Sequence, residues 1–209
     1  MSLFLGKIHH WLYNKILWFE EAEKEIIKLA EDQGLSIEKV VETVNEKYGE
    51  PTGRKPLEEI IDTSNIHGWL QQKIASAELR QAMLITRILG EKPELREPLV
   101  GIFSDQGTKA ARDARVDAAS PDEIFRAMND YLLEGMPCDR VSELVADNEN
   151  EYAWKTTMCL HQPYWEEAQG DVQNFYDLRE AWISAFVKTV NPEFKYEKSA
   201  NGINRIIRK

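Results

Sequence analysis

Apolar positions between Leu3 and Ala30 recur every three or four residues, with Phe4, Ile8, Leu12, Ile16, Phe19, Ile26 and Leu29 on one stripe. That spacing predicts a long amphipathic helix. Ser36 reads as the N-cap of a second helix ending near Tyr48, where Gly49 and Pro51 stop it, and Glu50 to Pro56 reads as loop. Another long helix is expected from Ser64 to Leu89, with Gly90 at its end and Pro93 beyond. The stretch from Glu94 to Ala119 is helical in pattern but interrupted by Pro98 and Gly101. Ser120-Pro121-Asp122-Glu123 combines an N-cap, a proline at the first helical position and a glutamate at the third, the strongest helix start in the chain. Its helix is expected to end at Gly135.

After Pro137 the period changes from helical to alternating. Val141 to Val145 and Glu151 to Met158 flank the polar turn Asp147-Asn148-Glu149-Asn150 and read as a β-hairpin. A helix from Val172 to Val190 follows, with Phe175, Leu178, Trp182, Phe186 and Val190 as its stripe, closed by Asn191-Pro192. Phe194 to Glu197 and Ile203 to Ile207 form a second hairpin, whose Asn201-Gly202 signals a type I′ turn. The expected fold is α+β: a helical region over residues 1–135, then a module over 136–209 with a four-stranded antiparallel sheet and a packed helix.

Composition narrows the class. With 209 residues, 43% of them apolar, the chain is long enough to bury a core, and a formal charge of −10 argues against nucleic acid or an anionic membrane as partner. Two cysteines make no disulfide framework, no stretch approaches the roughly 18 apolar residues of a membrane span, and Met1 to Lys7 lacks a signal-peptide pattern. The expected location is cytoplasmic.

The segment Ile8-His9-His10-Trp11-Leu12-Tyr13-Asn14-Lys15-Ile16, with Glu20, recurs as Ile66-His67-Gly68-Trp69-Leu70-Gln71-Gln72-Lys73-Ile74, with Glu78. Two such helices packed antiparallel would bring His9 to Glu78 and His67 to Glu20. Neither copy has the Glu-x-x-His spacing of a di-iron bundle, so the tryptophans and isoleucines read as core and the histidines as hydrogen-bonded.

Chemistry concentrates at Cys138, Cys159 and His161. In an antiparallel hairpin, paired residues keep a constant sum of position numbers. A turn centred on Asn148-Glu149 therefore sets Cys138 opposite Cys159. His161, two residues on, would share that face. The same register puts Val141, Val145, Tyr152, Trp154 and Met158 on the other face. A thiol beside an imidazole suits nucleophilic catalysis, and two thiols with a histidine leave Zn²⁺ or Mn²⁺ open as cofactors. Tyr164, Trp165, Tyr176 and Trp182 could line an apolar pocket. The Gly-rich phosphate loop, the Gly-x-Ser-x-Gly elbow and the His-Glu-x-x-His helix are absent.

The run Tyr152-Ala-Trp-Lys-Thr-Thr-Met-Cys159, then Pro163-Tyr-Trp165-Glu-Glu, Phe175-Tyr-Asp-Leu, Asn191-Pro-Glu-Phe-Lys-Tyr-Glu197 and Asn201-Gly202 resembles the C-terminal half of the L-2-amino-thiazoline-4-carboxylic acid hydrolase family. The resemblance implies an intracellular hydrolase that opens a small ring containing sulfur and nitrogen, with Cys159 at a strand end. Where members of that family carry a cysteine after the last turn, this chain has Asn201-Gly202-Ile203-Asn204-Arg205.

Two readings of function follow. The first is a hydrolase acting on a C–N bond of a small molecule, with Cys159, Cys138 and His161 as its site. The second is a non-catalytic small-ligand-binding or regulatory module. Assembly into a homo-oligomer through the Ile-His-x-Trp helices is a third possibility.

Overall fold

The computed structural model describes residues 5–209. Its helices are α1 (Lys7–Asp32), α2 (Glu38–Tyr48), α3 (Leu57–Ile60), α4 (Ile66–Glu91), α5 (Arg96–Ala114), α6 (Pro121–Asn129), α7 (Gln162–Glu167) and α8 (Val172–Val190). Its strands are β1 (Ser142–Asn148), β2 (Glu151–Thr156), β3 (Phe194–Lys198) and β4 (Ile203–Arg208). The class is α+β, helical in its N-terminal part and carrying one four-stranded antiparallel sheet. Residues 5–96 group with His161–Val172 in one compact unit, and Glu97–Leu160 with Gln173–Lys209 in a second. Among the described residues no helix is long and apolar enough to cross a membrane.

In the first unit α1 and α4 are the two copies of the repeat, and they run in the same direction. The His9 and His67 rings meet at 5.6 Å near the helix starts, and further along both helices Arg80 reaches Glu20 and Glu23. The antiparallel pairing of His9 with Glu78 does not occur. The predicted helix start at Leu3, and Phe4 of its stripe, lie outside the described residues; Gly6 is the N-cap. The stripe is buried at Leu12, Ile16 and Ile26, but the buried face also takes in polar residues and leaves Ile8 out. Ile8 is 48% exposed, whereas His9, Lys15, Glu20 and Glu23 are buried with Leu12, Ile16 and Ile26. A polar group on a core face needs a partner, and α4 supplies it: Arg80 donates to both carboxylates. Helix α4 starts one residue after Asn65, whose side chain accepts from Gly68 N at 3.2 Å, and it runs through Gly90 rather than stopping there.

In the second unit α5 is continuous. Pro98 sits in its first turn, where the missing N–H costs nothing, and Gly101 does not break it. Gly107 is where α5 meets α8, because a Cβ there would lie 2.2 Å from the Trp182 carbonyl oxygen. The capping box at Ser120 forms, with Glu123 accepting from the Ala119 and Ser120 amides, but α6 ends at Asn129, short of Gly135.

The sheet order is β1-β2-β4-β3, so the two hairpins join through β2 and β4. Trp154 pairs with Asn204 and Tyr152 with Ile206, and Ile206 with Tyr196. These residues share one face, against which α6 lays Phe125, stacked 4.4 Å from the Tyr152 ring. The turn between β3 and β4 is not type I′. Gly202 alone has positive φ there, and its amide donates to Ser199 O, which is a type I turn closed by a glycine bulge.

Candidate functional site

The structure separates the three residues that the sequence brings together. The β1–β2 ladder closes on Asn148 and Glu151 and pairs Leu144 with Trp154, Glu143 with Lys155 and Ser142 with Thr156. This register is one residue away from the one that opposes the cysteines, and a bulge at Val145 shifts it further near the turn. Val145 and Met158, expected on the apolar face, are exposed. The ladder also stops too early. Cys138 lies exposed in the turn Met136–Asp139, and Cys159 lies beyond the end of β2. His161 belongs to the first unit, where it precedes α7; it is buried, and its Nδ1 is 2.9 Å from Glu78 Oε1 on α4. Two adjacent stretches of chain thus carry the thiol and the imidazole into different units.

Of the three, Cys159 lines a cavity. In the second unit a space of about 280 Å³ opens between α6, α8 and the inner face of the sheet. Its wall is aromatic on one side, with Phe125 from α6, Trp154 from β2 and Tyr196 from β3. Tyr176 of α8 lies on the same wall as Cys159. The sequence pointed to Tyr176 among its pocket candidates; Trp182 is buried within the second unit and Trp165 within the first. Phe125, Trp154, Tyr196 and Asn204 were missed as site residues. Alternation along β2 and β4 could have grouped Trp154 with Asn204 had the strand pairing been known.

Polar groups converge on this space in two layers. At depth, the Tyr196 hydroxyl donates to Asn204 Oδ1 at 2.6 Å, and burial, then the Glu180 charge, push this phenol up from its ordinary value. Burial, followed by its hydrogen bond to Cys159, likewise pushes Tyr176 up, so both phenols keep their protons and Tyr176 donates toward the sulfur. Arg179 is engaged by the Glu134 carboxylate and the Leu133 carbonyl and lies over the Phe175 ring. At the mouth stand Glu180 and Lys198, both exposed, with the Lys198 ammonium 4.7 Å over the Tyr176 ring. The arrangement can hold a planar body against rings and offer it hydroxyl, amide, thiol and charged groups.

The densest polar cluster of the first unit has a different character. Arg80 is fully buried; its Nε donates to Glu23, one terminal nitrogen to Glu20, and the other to Gly49 O and Ser76 Oγ. Glu20 also accepts from the amide and hydroxyl of Thr52. Burial outweighs Arg80 at Glu23 and holds its carboxyl above the ordinary range. Every nitrogen of the guanidinium is occupied, so Arg80 is committed to tying α1, α4 and the loop after α2 together. His9 is lowered by burial and by the nearby His67 and His10, and its Nδ1 accepts from the Gly6 amide. That bond places any neutral-state proton on Nε2, so the His9–His67 pair does not present two free lone pairs to a cation. Among the described residues no three His, Cys, Asp or Glu side chains come together as a metal site, and Cys138, Cys159 and His161 form none. Comparison with family models, with curated proteins and with solved structures returns no match.

Proposed function

We propose that the second unit binds a small planar organic molecule in the cavity between α6, α8 and the sheet. The observation that carries this reading is the cavity itself: about 280 Å³, walled by Phe125, Trp154 and Tyr196, with the Tyr176 hydroxyl and the Cys159 thiol on its wall. Its size is near the lower end of the roughly 300–1,000 Å³ typical of ligand sites, which suits a compact ligand. Thr156→Trp tests it, because Thr156 lines the space from a half-exposed strand position where an indole is tolerated and would fill the cavity. Titration with indole or p-cresol, followed by amide and indole N–H resonances, is expected to shift Trp154 and Gly202 in the native protein and not in the variant. Absence of shifts at millimolar probe, or equal shifts in both proteins, refutes it.

A second reading, hydrolysis of a C–N bond, is favoured by the contact of Tyr176 with Cys159 on the cavity wall and by the family resemblance. In it the Cys159 sulfur bonds to the substrate carbon and the C–N bond breaks. The Tyr176 hydroxyl, donating to the sulfur, orients it; the thiol proton goes to the leaving nitrogen, and water then cleaves the bond between the Cys159 sulfur and the substrate carbon to restore the thiol. His161, held by Glu78, takes no part. The reading requires Cys159→Ser to abolish turnover of a cyclic amidine or thiazoline while leaving its binding intact; turnover by that variant excludes it.

A further inference from the structure

We infer that the ligand of this cavity is a zwitterion with a planar apolar body, in chemical class an aromatic α-amino acid. The inference rests on the small-molecule reading above and follows from how the four charged side chains lining the space are used. Glu134 and Arg179 engage one another, so they add no net charge. Glu180 and Lys198 are different. Among the described residues neither makes an ion pair, with the other or with a third group, and the Lys198 ammonium lies over the face of the Tyr176 ring. A carboxylate and an ammonium therefore stand at one aromatic-walled cavity without neutralising each other. A purely anionic ligand would gain Lys198 but meet the repulsion of Glu180, and a purely cationic one the reverse. A ligand bearing both charges satisfies both groups, so the pair selects against either single charge. Its α-ammonium faces Glu180, its α-carboxylate faces Lys198, and its ring lies against Trp154 and Tyr196. The phenols of Tyr176 and Tyr196 stay neutral and leave this balance undisturbed.

The test uses the full chain and calorimetric titration with L-tryptophan, tryptamine, indole-3-propionate and indole. L-Tryptophan is expected to bind about tenfold or more tightly than either singly charged analogue, the size of one charge-assisted contact. Lys198→Met is expected to erase its advantage over tryptamine, and Glu180→Gln its advantage over indole-3-propionate; both side chains are exposed, so neither change threatens folding. The inference is overturned if tryptamine or indole-3-propionate binds as well as L-tryptophan, or if the two variants leave the ranking intact. Indole binding as tightly as L-tryptophan removes the inference but keeps the cavity as a site. Failure of all four probes removes both.

Discussion

Replacing Arg80 by methionine removes the cation that two buried carboxylates share while keeping most of the side-chain volume. Arg80 has no exposed side-chain surface, and Glu20 and Glu23 are only 6% and 5% exposed. Solvent therefore cannot take over the role of the guanidinium, and breaking such a buried pair from one side costs about 3–5 kcal/mol. At roughly 2–4 °C per kcal/mol for a chain of this size, Arg80→Met is expected to lower Tm by about 10 °C. The pH dependence supplies a second check. Burial already holds the Glu23 carboxyl above the 4.5 of an ordinary glutamate, so its native state takes up a proton more readily than its unfolded state. Stability linked to such a group is fully present below the unfolded value and is lost as pH rises through the raised one. Without Arg80 the Glu23 carboxyl moves further up, and the deficit of the variant is expected to be smallest near about pH 4.5 and largest near about pH 8. Urea denaturation followed by far-ultraviolet circular dichroism at those two pH values measures both. A deficit below about 1 kcal/mol, the range of an exposed pair, or one that grows on acidification, refutes the account.

Gly107→Ala places a methyl 2.2 Å from the backbone oxygen of Trp182, so α5 and α8 must move apart; a loss of about 1–3 kcal/mol in chemical denaturation is expected, and an unchanged midpoint would show that the helices are not in such contact. His161→Ala leaves Glu78, 1% exposed, without its partner, and is expected to cost about 3–5 kcal/mol. Adding Glu78→Leu should recover part of that loss, whereas additive losses in the double variant would contradict a coupled pair. Cys138 is exposed and Cys159 is partly covered beside Tyr176, so iodoacetamide mapped by mass spectrometry should modify Cys138 first; the opposite order would contradict these placements.

The candidate site was legible only in pieces. Cys159 and Tyr176 were reached from residue type and position, and both lie on the cavity wall. The grouping of Cys159 with Cys138 and His161 depended on strand register, and register depends on where a turn closes and whether a bulge intervenes. Here the turn closes one residue later than the polar run suggests, and Val145 is bulged out. Alternation alone carries no record of either. Phe125, Trp154 and Asn204 meet because β2 pairs with β4 and α6 lies over both, contacts between segments far apart in the chain.

By itself the sequence determined the local elements: the two long helices, the capping box before α6, the span of α8 and both hairpins, since each is governed by interactions within a few residues. Tertiary structure decided the rest. The repeated helices run parallel because Arg80 must meet Glu20 and Glu23, a pairing invisible to helical periodicity, which found Leu12, Ile16 and Ile26 of α1 but not the buried polar residues beside them. Likewise the thiol and the imidazole, two residues apart, are claimed by different partners: Tyr176 for one and Glu78 for the other. Burial selects those partners for charge and hydrogen bonding across the fold, so proximity in the chain does not decide them.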